Sequence, residues 1–501
     1  MSIERDLSNQ SVSAVKWNSL GTGVRYSLQL GAQVLLARLL GPDYIGLFAM
    51  GMVILSFSNF IADAGFGWSL MQAKDIRDED IRFAFTCQVI AGAVVTLAIY
   101  LLAPAAAAYF QDARLEGVVR WLSWAALLGA LSSPASNLLR RKLDFRTINI
   151  VQLVSFAVGY LIVGIPLAIH GAGVWALVAA CLAQAACALL LFFLRQPHSV
   201  KPLLWYDGAK TLGGTGGIVF LTNICNWFLN NMDRIILGRF AGAQVVGLYV
   251  VGYNLAQTPH NVLLSALQPA FLVAGARLQT DAARLRRAYL AVIATVWIGI
   301  APMFVLFAVI APDLVALLYG SAWRTAGEAL TILALAMPAY LTWGMSTPIL
   351  WNTGRKHYEI ILQLPLMAVA VVAFYNVVGL GVVMFALVAA GLLLSRAMII
   401  TVAACRRLDV APRDLAPSAL RALAMILLSA IGTAAGAALA RIGGDTHLGP
   451  VCGGVFVGCA VLIITSLLYP RLLGRAVIEM LQRFSPPVFA GVLRYMLSKS
   501  N

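Results

Sequence analysis

Residues 37–51 read ARLLGPDYIGLFAMG, and residues 238–252 read GRFAGAQVVGLYVVG. The two stretches align without a gap. Arg38, Gly41, Gly46, Leu47 and Gly51 fall on Arg239, Gly242, Gly247, Leu248 and Gly252, and Phe48 falls on Tyr249, at an offset of 201 residues. A later echo sets Gly171-Ala-Gly-Val and Ala176-Leu-Val-Ala-Ala against Gly379-Leu-Gly-Val and Ala386-Leu-Val-Ala-Ala. Its offsets are 208 and 210, as drifting loops would give. Repetition at this period means two copies of one folding unit.

Composition says what the copies are made of. Hydrophobic residues make up 61% of the 501-residue chain and charged residues 11%, against about 25% charged in a soluble domain. Mean hydropathy is +0.85, which leaves too little polar surface to cover a soluble particle. The chain is therefore read as an all-α polytopic membrane protein. A hydrocarbon core about 30 Å thick takes about 20 apolar residues per helix. That rule places about fourteen transmembrane helices, with approximate limits 17–39, 45–68, 83–103, 118–138, 148–169, 174–194, 213–237, 246–272, 288–310, 326–351, 359–377, 381–403, 418–440 and 449–468.

The repeated stretches lie six spans apart. An even number gives both copies the same orientation, a parallel repeat about an axis along the membrane normal. The reading is two six-helix lobes, 1–205 and 206–408, two further helices in 409–469, and an amphipathic cytoplasmic tail, 470–501. In the tail Arg471, Arg475, Glu479 and Arg483 recur every four residues. That pattern predicts a helix lying on the anionic cytoplasmic leaflet.

Lys and Arg number 36 against 21 Asp and Glu, a formal charge of +15. In a soluble protein this would suggest nucleic acid; here no soluble domain is left to carry a basic groove. With the N-terminus cytoplasmic, 27 of the 36 basic residues fall on cytoplasmic segments, six on the other side, and Arg25, Arg234 and Arg396 within spans. This asymmetry orients the chain with both termini cytoplasmic. The first apolar run carries Arg25, Gln29 and Gln33, so the start does not read as a cleavable signal peptide. The seven cysteines are scattered without metal-ligand spacing and read as small core residues.

Motifs for catalysis are missing. Gly213–Gly217 reads GGTGG but no Lys-Ser/Thr follows, so it is no P-loop. No H-E-x-x-H, G-x-S-x-G or Cys/His metal cluster occurs, and the loops are short. The sequence thus predicts no catalytic residues, metal or cofactor.

Polar residues inside spans carry the functional signal, since each costs a few kcal/mol in lipid unless it faces a cavity or partner. Arg25, Gln29 and Gln33 fall at i, i+4, i+8 on one face of the first helix. Arg25 lies about 12 Å inside its cytoplasmic end, and Asp63 on the second helix is within its reach as an ion-pair partner. The seventh helix carries Asn223, Asn226, Asn230, Asn231, Asp233 and Arg234, the first three again on one face. Asn59, Asn254 and Gln257 extend these surfaces. Such faces can line a cavity between the lobes, or can be interhelical packing contacts. An arginine-lined apolar cavity suits an anion, because guanidinium grips phosphate oxygens in bidentate fashion. His260 is the one histidine inside a span; a packing role is its first reading and proton relay the alternative.

At this point several segments converge on a family. LARLLGPDYIGLF, Asp63-x-Gly65-x-Gly67, LRRKLDF at Leu139–Phe145, Gly173-Val-Trp-Ala-Leu177, DRIILGRF at Asp233–Phe240 and GLYVVGYNLAQTP at Gly247–Pro259 resemble the polysaccharide transporter (Wzx-type flippase) family. That family belongs to the multidrug/oligosaccharidyl-lipid/polysaccharide exporter superfamily. The resemblance covers about residues 10–410. It implies movement of an undecaprenyl-pyrophosphate-linked oligosaccharide across the bacterial inner membrane, for lipopolysaccharide or exopolysaccharide synthesis, by two lobes that rock in alternation. Arg25 and Arg234 would hold the pyrophosphate, with Gln29, Gln33, Asn223, Asn226 and Asn230 around it. Asp63 and Asp233 would be the candidates for coupling to a proton or sodium gradient. Membrane lipids, a polysaccharide polymerase and chain-length machinery would be partners. The alternatives are a drug/cation antiporter of the same superfamily, or an integral membrane polymerase or glycosyltransferase.

Overall fold

The computed structural model describes residues 2–63, 77–204, 217–278, 281–353, 356–442, 447–484 and 490–499. Among them every regular element is a helix. In chain order these are α1 Ser2–Asp63, α2 Asp78–Phe110, α3 Arg114–Arg141, α4 Phe145–Ile169, α5 Val174–Arg195 and α6 Gly217–Leu278. They continue with α7 Ala282–Tyr319, α8 Arg324–Asn352, α9 Lys356–Val377, α10 Val382–Arg407, α11 Pro412–Ile442, α12 Leu448–Leu468, α13 Arg475–Phe484 and α14 Ala490–Lys499. Eleven described stretches are long and apolar enough to cross a membrane. The expected fourth span, α3, stands outside that set because Ser123, Ser132, Ser133, Pro134, Ser136 and Asn137 dilute its apolar run.

This is a multi-pass membrane protein, and its surface shows it. Ile90, Val94, Leu97 and Leu101 stand exposed along one face of α2, and Leu420, Leu423, Leu427 and Ile431 along one face of α11. In water such stripes would drive aggregation; in a bilayer they face lipid tails. Packing divides the chain into two compact units, Met1–Val250 and Val251–Asn501. In the first, Leu36 and Leu40 of α1 pack with Ala168 of α4 and Ala176 and Leu177 of α5. In the second, Leu285, Tyr289 and Val292 of α7 pack with Leu341 and Met345 of α8 and Ala404 of α10.

The repeated stretches fold alike. Loops were expected where span one meets two and where seven meets eight. Instead each pair forms one long helix broken at a single glycine: Gly41 (φ 78°, ψ 174°) in α1 and Gly242 (φ 81°, ψ 174°) in α6. This left-handed, extended geometry is open essentially to glycine alone, so the corner needs one residue and no loop. Pro42 then restarts the helix at a position where its missing N–H costs nothing.

Within the first unit the two corners face each other as a reciprocal pair. A Cβ at Gly46 would fall on the carbonyl of Ala243, and one at Gly247 would fall on the carbonyl of Pro42. Pro42 matches Ala243, and Gly46 matches Gly247, at the same offset of 201. Each contact is thus the mirror of the other under the repeat, and only glycine lets the backbones approach so closely.

The tail packs onto the second unit. It is helical and amphipathic, and part of the apolar face of α13 is covered by neighbouring helices. Val477 and Ile478 are buried against Ala294 and Ile298 of α7, Met425 of α11 and Leu462 of α12. Arg475 and Glu479 pair on the outer face at 2.8 Å. A periodic apolar face requires cover, and for Val477 and Ile478 neighbouring helices supply it.

Candidate functional site

In the first unit the corner pair sets the register of the two polar stripes. With Gly41 opposite Gly242, the offset of 201 places Arg25 at the level of Asn226, Gln29 at the level of Asn230, and Gln33 at the level of Arg234. The three polar positions of α1 thus match three of α6 one for one, and each stripe holds a single arginine at opposite ends. Arg25 lies 16 residues before its corner and Arg234 eight before its own. Along the helices the two cations therefore differ in depth by about 12 Å.

Arg25 is half-buried. Its Nη1 donates to Gln152 Oε1 of α4, and its guanidinium carbon lies 5.4 Å from the Tyr26 ring centroid. Its buried Nε makes no hydrogen bond among the described residues, which leaves a donor for an incoming acceptor. Gln29 and Gln33 are half-buried farther along the helix, and on the same face Ala32 and Leu36 are buried, Leu36 against α4 and α5. The expected pairing of Arg25 with Asp63 lies outside the described residues, as do the side chains of Asn223 and Asn59. Asn226 and Asn230 are half-buried.

On α6 a chain of hydrogen bonds climbs the helix. Trp227 Nε1 donates to Ser56 Oγ at 2.9 Å, tying α6 to the second half of α1. Asn231 Nδ2 donates to the Trp227 carbonyl at 2.9 Å, and Arg234 Nη1 donates to Asn231 Oδ1 at 3.3 Å. Asp233 is 6% exposed. Its carboxylate accepts from Tyr249 Oη at 2.7 Å and from the Arg234 backbone N–H at 2.8 Å. Tyr249 belongs to the repeated motif itself, so the motif's aromatic position anchors the acidic residue beside Arg234.

Outside the spans, the α2–α3 turn is clamped to the corner. Arg114 reaches Asp43 at 2.6 Å and Asp112 at 2.7 Å. The hydrogen bond from Arg114 holds the Asp112 carboxyl below the usual carboxylate range. Arg239 of the repeat donates to the carbonyls of Ala108 and Tyr109, at 3.2 and 2.6 Å, and so closes the end of α2. At the opposite ends of these helices a hollow of about 650 Å³ is lined by Asp78, Arg141, Lys142, Gln196 and His198. Its walls belong to the Arg140–Arg146 cluster that the charge asymmetry assigns to one membrane side.

Sequence reasoning passed over two buried groups in the second unit. Arg396 of α10 is 1% exposed and sits 4.1 Å from the Trp343 ring centroid. The signal was present, since Arg396 was one of three basic residues left inside spans. Glu359 of α9 is also 1% exposed and accepts from Trp351 Nε1 at 2.8 Å. It stands at a span boundary, where a carboxylate reads as exposed. No cluster of three or more metal-ligating side chains occurs among the described residues.

Comparison with known proteins follows the same lines. The family model described as "Polysaccharide biosynthesis protein" matches residues 35–328. The lipopolysaccharide biosynthesis protein WzxC of Escherichia coli (strain K12) is 24% identical over 339 residues, covering 66% of this chain and 67% of its own. The succinoglycan biosynthesis transport protein ExoT of Rhizobium meliloti (strain 1021) is 22% identical over 342 residues, 68% of this chain and 69% of its own. Among solved structures, the lipid II flippase MurJ in an inward closed conformation superposes with a TM-score of 0.71 at 13% identity. The match covers 91% of this chain and 99% of that one, and it establishes a shared fold.

Proposed function

The chain belongs to the polysaccharide biosynthesis protein family, and from that premise we propose that it is a flippase for undecaprenyl-pyrophosphate-linked oligosaccharide repeat units. It carries them from the cytoplasmic to the outer leaflet of the bacterial inner membrane by alternating access, for cell-surface polysaccharide or exopolysaccharide. The observation that supports this most is the matched pair of polar stripes, Arg25–Gln29–Gln33 and Asn226–Asn230–Arg234, held in register by the Gly41 and Gly242 corners. An intramembrane arginine with an unused buried donor is costly in lipid and fits an anionic headgroup.

The depth difference gives the stripes an order of use. A diphosphate cannot meet both guanidinium groups about 12 Å apart at once. Arg25, farther from the corner, receives it first from the cytoplasmic side, and Arg234, nearer the corner, receives it next. Amides at the matching levels hydrogen-bond the phosphate oxygens and first sugar while the polyprenyl tail stays in lipid. Gln152 holds Arg25 until an anion arrives. The charge asymmetry supports both termini facing the cytoplasm. A proton or sodium gradient drives the cycle, with Asp63 and Asp233 as carboxylate candidates; the Tyr249 bond keeps Asp233 fixed beside Arg234.

The test is reconstitution. Proteoliposomes receive undecaprenyl-pyrophosphate oligosaccharide, the undecaprenyl monophosphate form, or a neutral glycolipid of equal sugar length. Transbilayer movement of the pyrophosphate form above protein-free vesicles, with slower or no movement of the other two, is the expected result. Equal movement of all three, or of none, overturns the proposal.

A further inference from the structure

A buried cluster in the second unit plays no part in the stripes. His260 of α6, Tyr340 and Trp343 of α8, and Arg396 of α10 form a continuous stack. The His260 and Tyr340 rings lie 4.6 Å apart at 15°, the Tyr340 and Trp343 rings 5.0 Å apart at 8°, and the Arg396 guanidinium carbon lies 4.1 Å from the Trp343 centroid. Tyr340 and Trp343 are three residues apart and share a helix face. His260 and Arg396 are each 1% exposed. Each of the four lies at least nine residues from either end of its helix, about 13 Å or more, so the stack sits deep within the span.

The imidazole has one ring nitrogen unused. Its Nδ1 faces Asn261 Oδ1 at 3.2 Å, and the Tyr340 backbone lies within reach of the ring. Its buried Nε2 nevertheless makes no hydrogen bond among the described residues. A neutral imidazole donates from one nitrogen only, whereas the protonated ring donates from both. Burial disfavours the charged ring, so a proton on Nε2 is held only when the packing around it admits water.

The surrounding charges decide when the proton can come. From α8 the facing titratable group is Tyr340, and from α10 it is Arg396. On α7, Tyr289 is turned to Ser346 at 2.8 Å, and Asp313 is paired with Arg441 and His447 at 2.6 and 3.0 Å. The remainder of α6 beyond its corner carries no charged residue before Arg277. The nearest fixed charge along the stack is thus the Arg396 cation.

We propose that His260, framed by Tyr340, Trp343 and Arg396, is an intramembrane proton-binding site that couples the transport cycle to a proton gradient. This rests on the flippase reading for what is transported, but not for whether the proton binds. A proton on His260 places a second positive charge on a stack that already holds Arg396. In a low dielectric the two repel, so the protonated chain favours a packing of α8 and α10 that admits water. The deprotonated chain favours the closed stack seen here. The proton arrives from water on one side and leaves to water on the other, and no other bond changes. The site thereby biases a two-state element, as coupling requires.

The test needs three readouts. Full-length protein in nanodiscs, labelled with 15N-histidine, carries five imidazoles, and the resonance missing in His260→Gln is assigned to His260. That resonance should titrate reversibly while the protein stays folded. Tryptophan fluorescence should follow the same curve in wild type and lose that component in Trp343→Phe. In proteoliposomes loaded with undecaprenyl-pyrophosphate oligosaccharide, an imposed gradient should accelerate wild type by up to about tenfold per pH unit. His260→Gln should lose the acceleration, and His170→Gln, at an exposed turn, should keep it. A His260 that never titrates, or a His260→Gln variant with full gradient response, overturns the proposal. If wild type moves no lipid at all, the flippase reading fails, and the titration alone decides the proton site.

Discussion

The reciprocal corner makes a sharp prediction about one methyl group. Gly46→Ala places a Cβ on the carbonyl of Ala243, and neither partner is a side chain that could swing aside. Overpacking of this kind costs about 1–3 kcal/mol, and backbone meeting backbone belongs at the upper end, about 3 kcal/mol. For a unit of this size that is a fall in Tm of about 6–12 °C. If the unit yields by opening the corner instead, the same free energy moves the closed-to-open ratio by about 150-fold. Gly31→Ala is the control, because nothing lies within 4 Å of its added Cβ. In a helix interior that change should stabilise by up to about 1 kcal/mol. Thermal unfolding of the two purified variants, with spin labels at Tyr44 and Gln244 to read the separation of the corners, gives both quantities. The expected result is opposite signs: lower Tm or a longer label distance for Gly46→Ala, and neither for Gly31→Ala. Two variants indistinguishable in both measurements would refute the argument that backbone contact holds the corners together.

Three further outcomes can be checked on the same preparation. Tyr249→Phe deletes the hydrogen bond to buried Asp233 and should cost about 1.5–3 kcal/mol by thermal unfolding; no loss would mean the carboxyl finds another donor. Arg114→Ala removes a half-exposed partner of Asp43 and Asp112, so its cost near neutral pH should stay below about 1 kcal/mol. The Asp112 carboxyl is held low by Arg114, so its contribution is present above about pH 4 and lost as pH falls through the lower folded value. The wild-type advantage over Arg114→Ala should accordingly shrink as pH falls below about 4 in an unfolding series. Ile478→Ala opens a hole where α13 docks and should cost about 2–5 kcal/mol; limited proteolysis should then cut beyond Tyr469 faster than in wild type.

Much of this architecture was legible in the sequence because lipid imposes a simple rule. Each span must be about 20 apolar residues long, and α5, α10 and α12 follow the limits that rule sets. The repeat was visible because Gly41, Gly46, Gly242 and Gly247 are positions where no other residue fits, so their pattern survives drift elsewhere. The polar stripes were visible for the converse reason, since Arg25, Gln29 and Gln33 have no cheap place in lipid. Other features left less trace. A one-residue corner is indistinguishable from a loop in a hydropathy profile, because Gly-Pro-Asp and Gly-Ala-Gln read as turn chemistry in either case. The tail's periodicity showed an apolar face but not what covers it, and α7, α11 and α12 supply that cover from elsewhere in the chain. The stack of His260, Tyr340, Trp343 and Arg396 draws on three helices, and no spacing within one segment announces it.

The claim that the two stripes handle the anion in sequence is tested most directly by single-turnover flipping of undecaprenyl-pyrophosphate oligosaccharide in proteoliposomes, started from the cytoplasmic leaflet, for wild type, Arg25→Ala and Arg234→Ala. Binding to the cytoplasmic side should fall at least about tenfold in Arg25→Ala, as loss of a charge-assisted contact implies. Arg234→Ala should bind normally but deliver slowly. Equal binding and equal delivery in all three proteins would contradict the account.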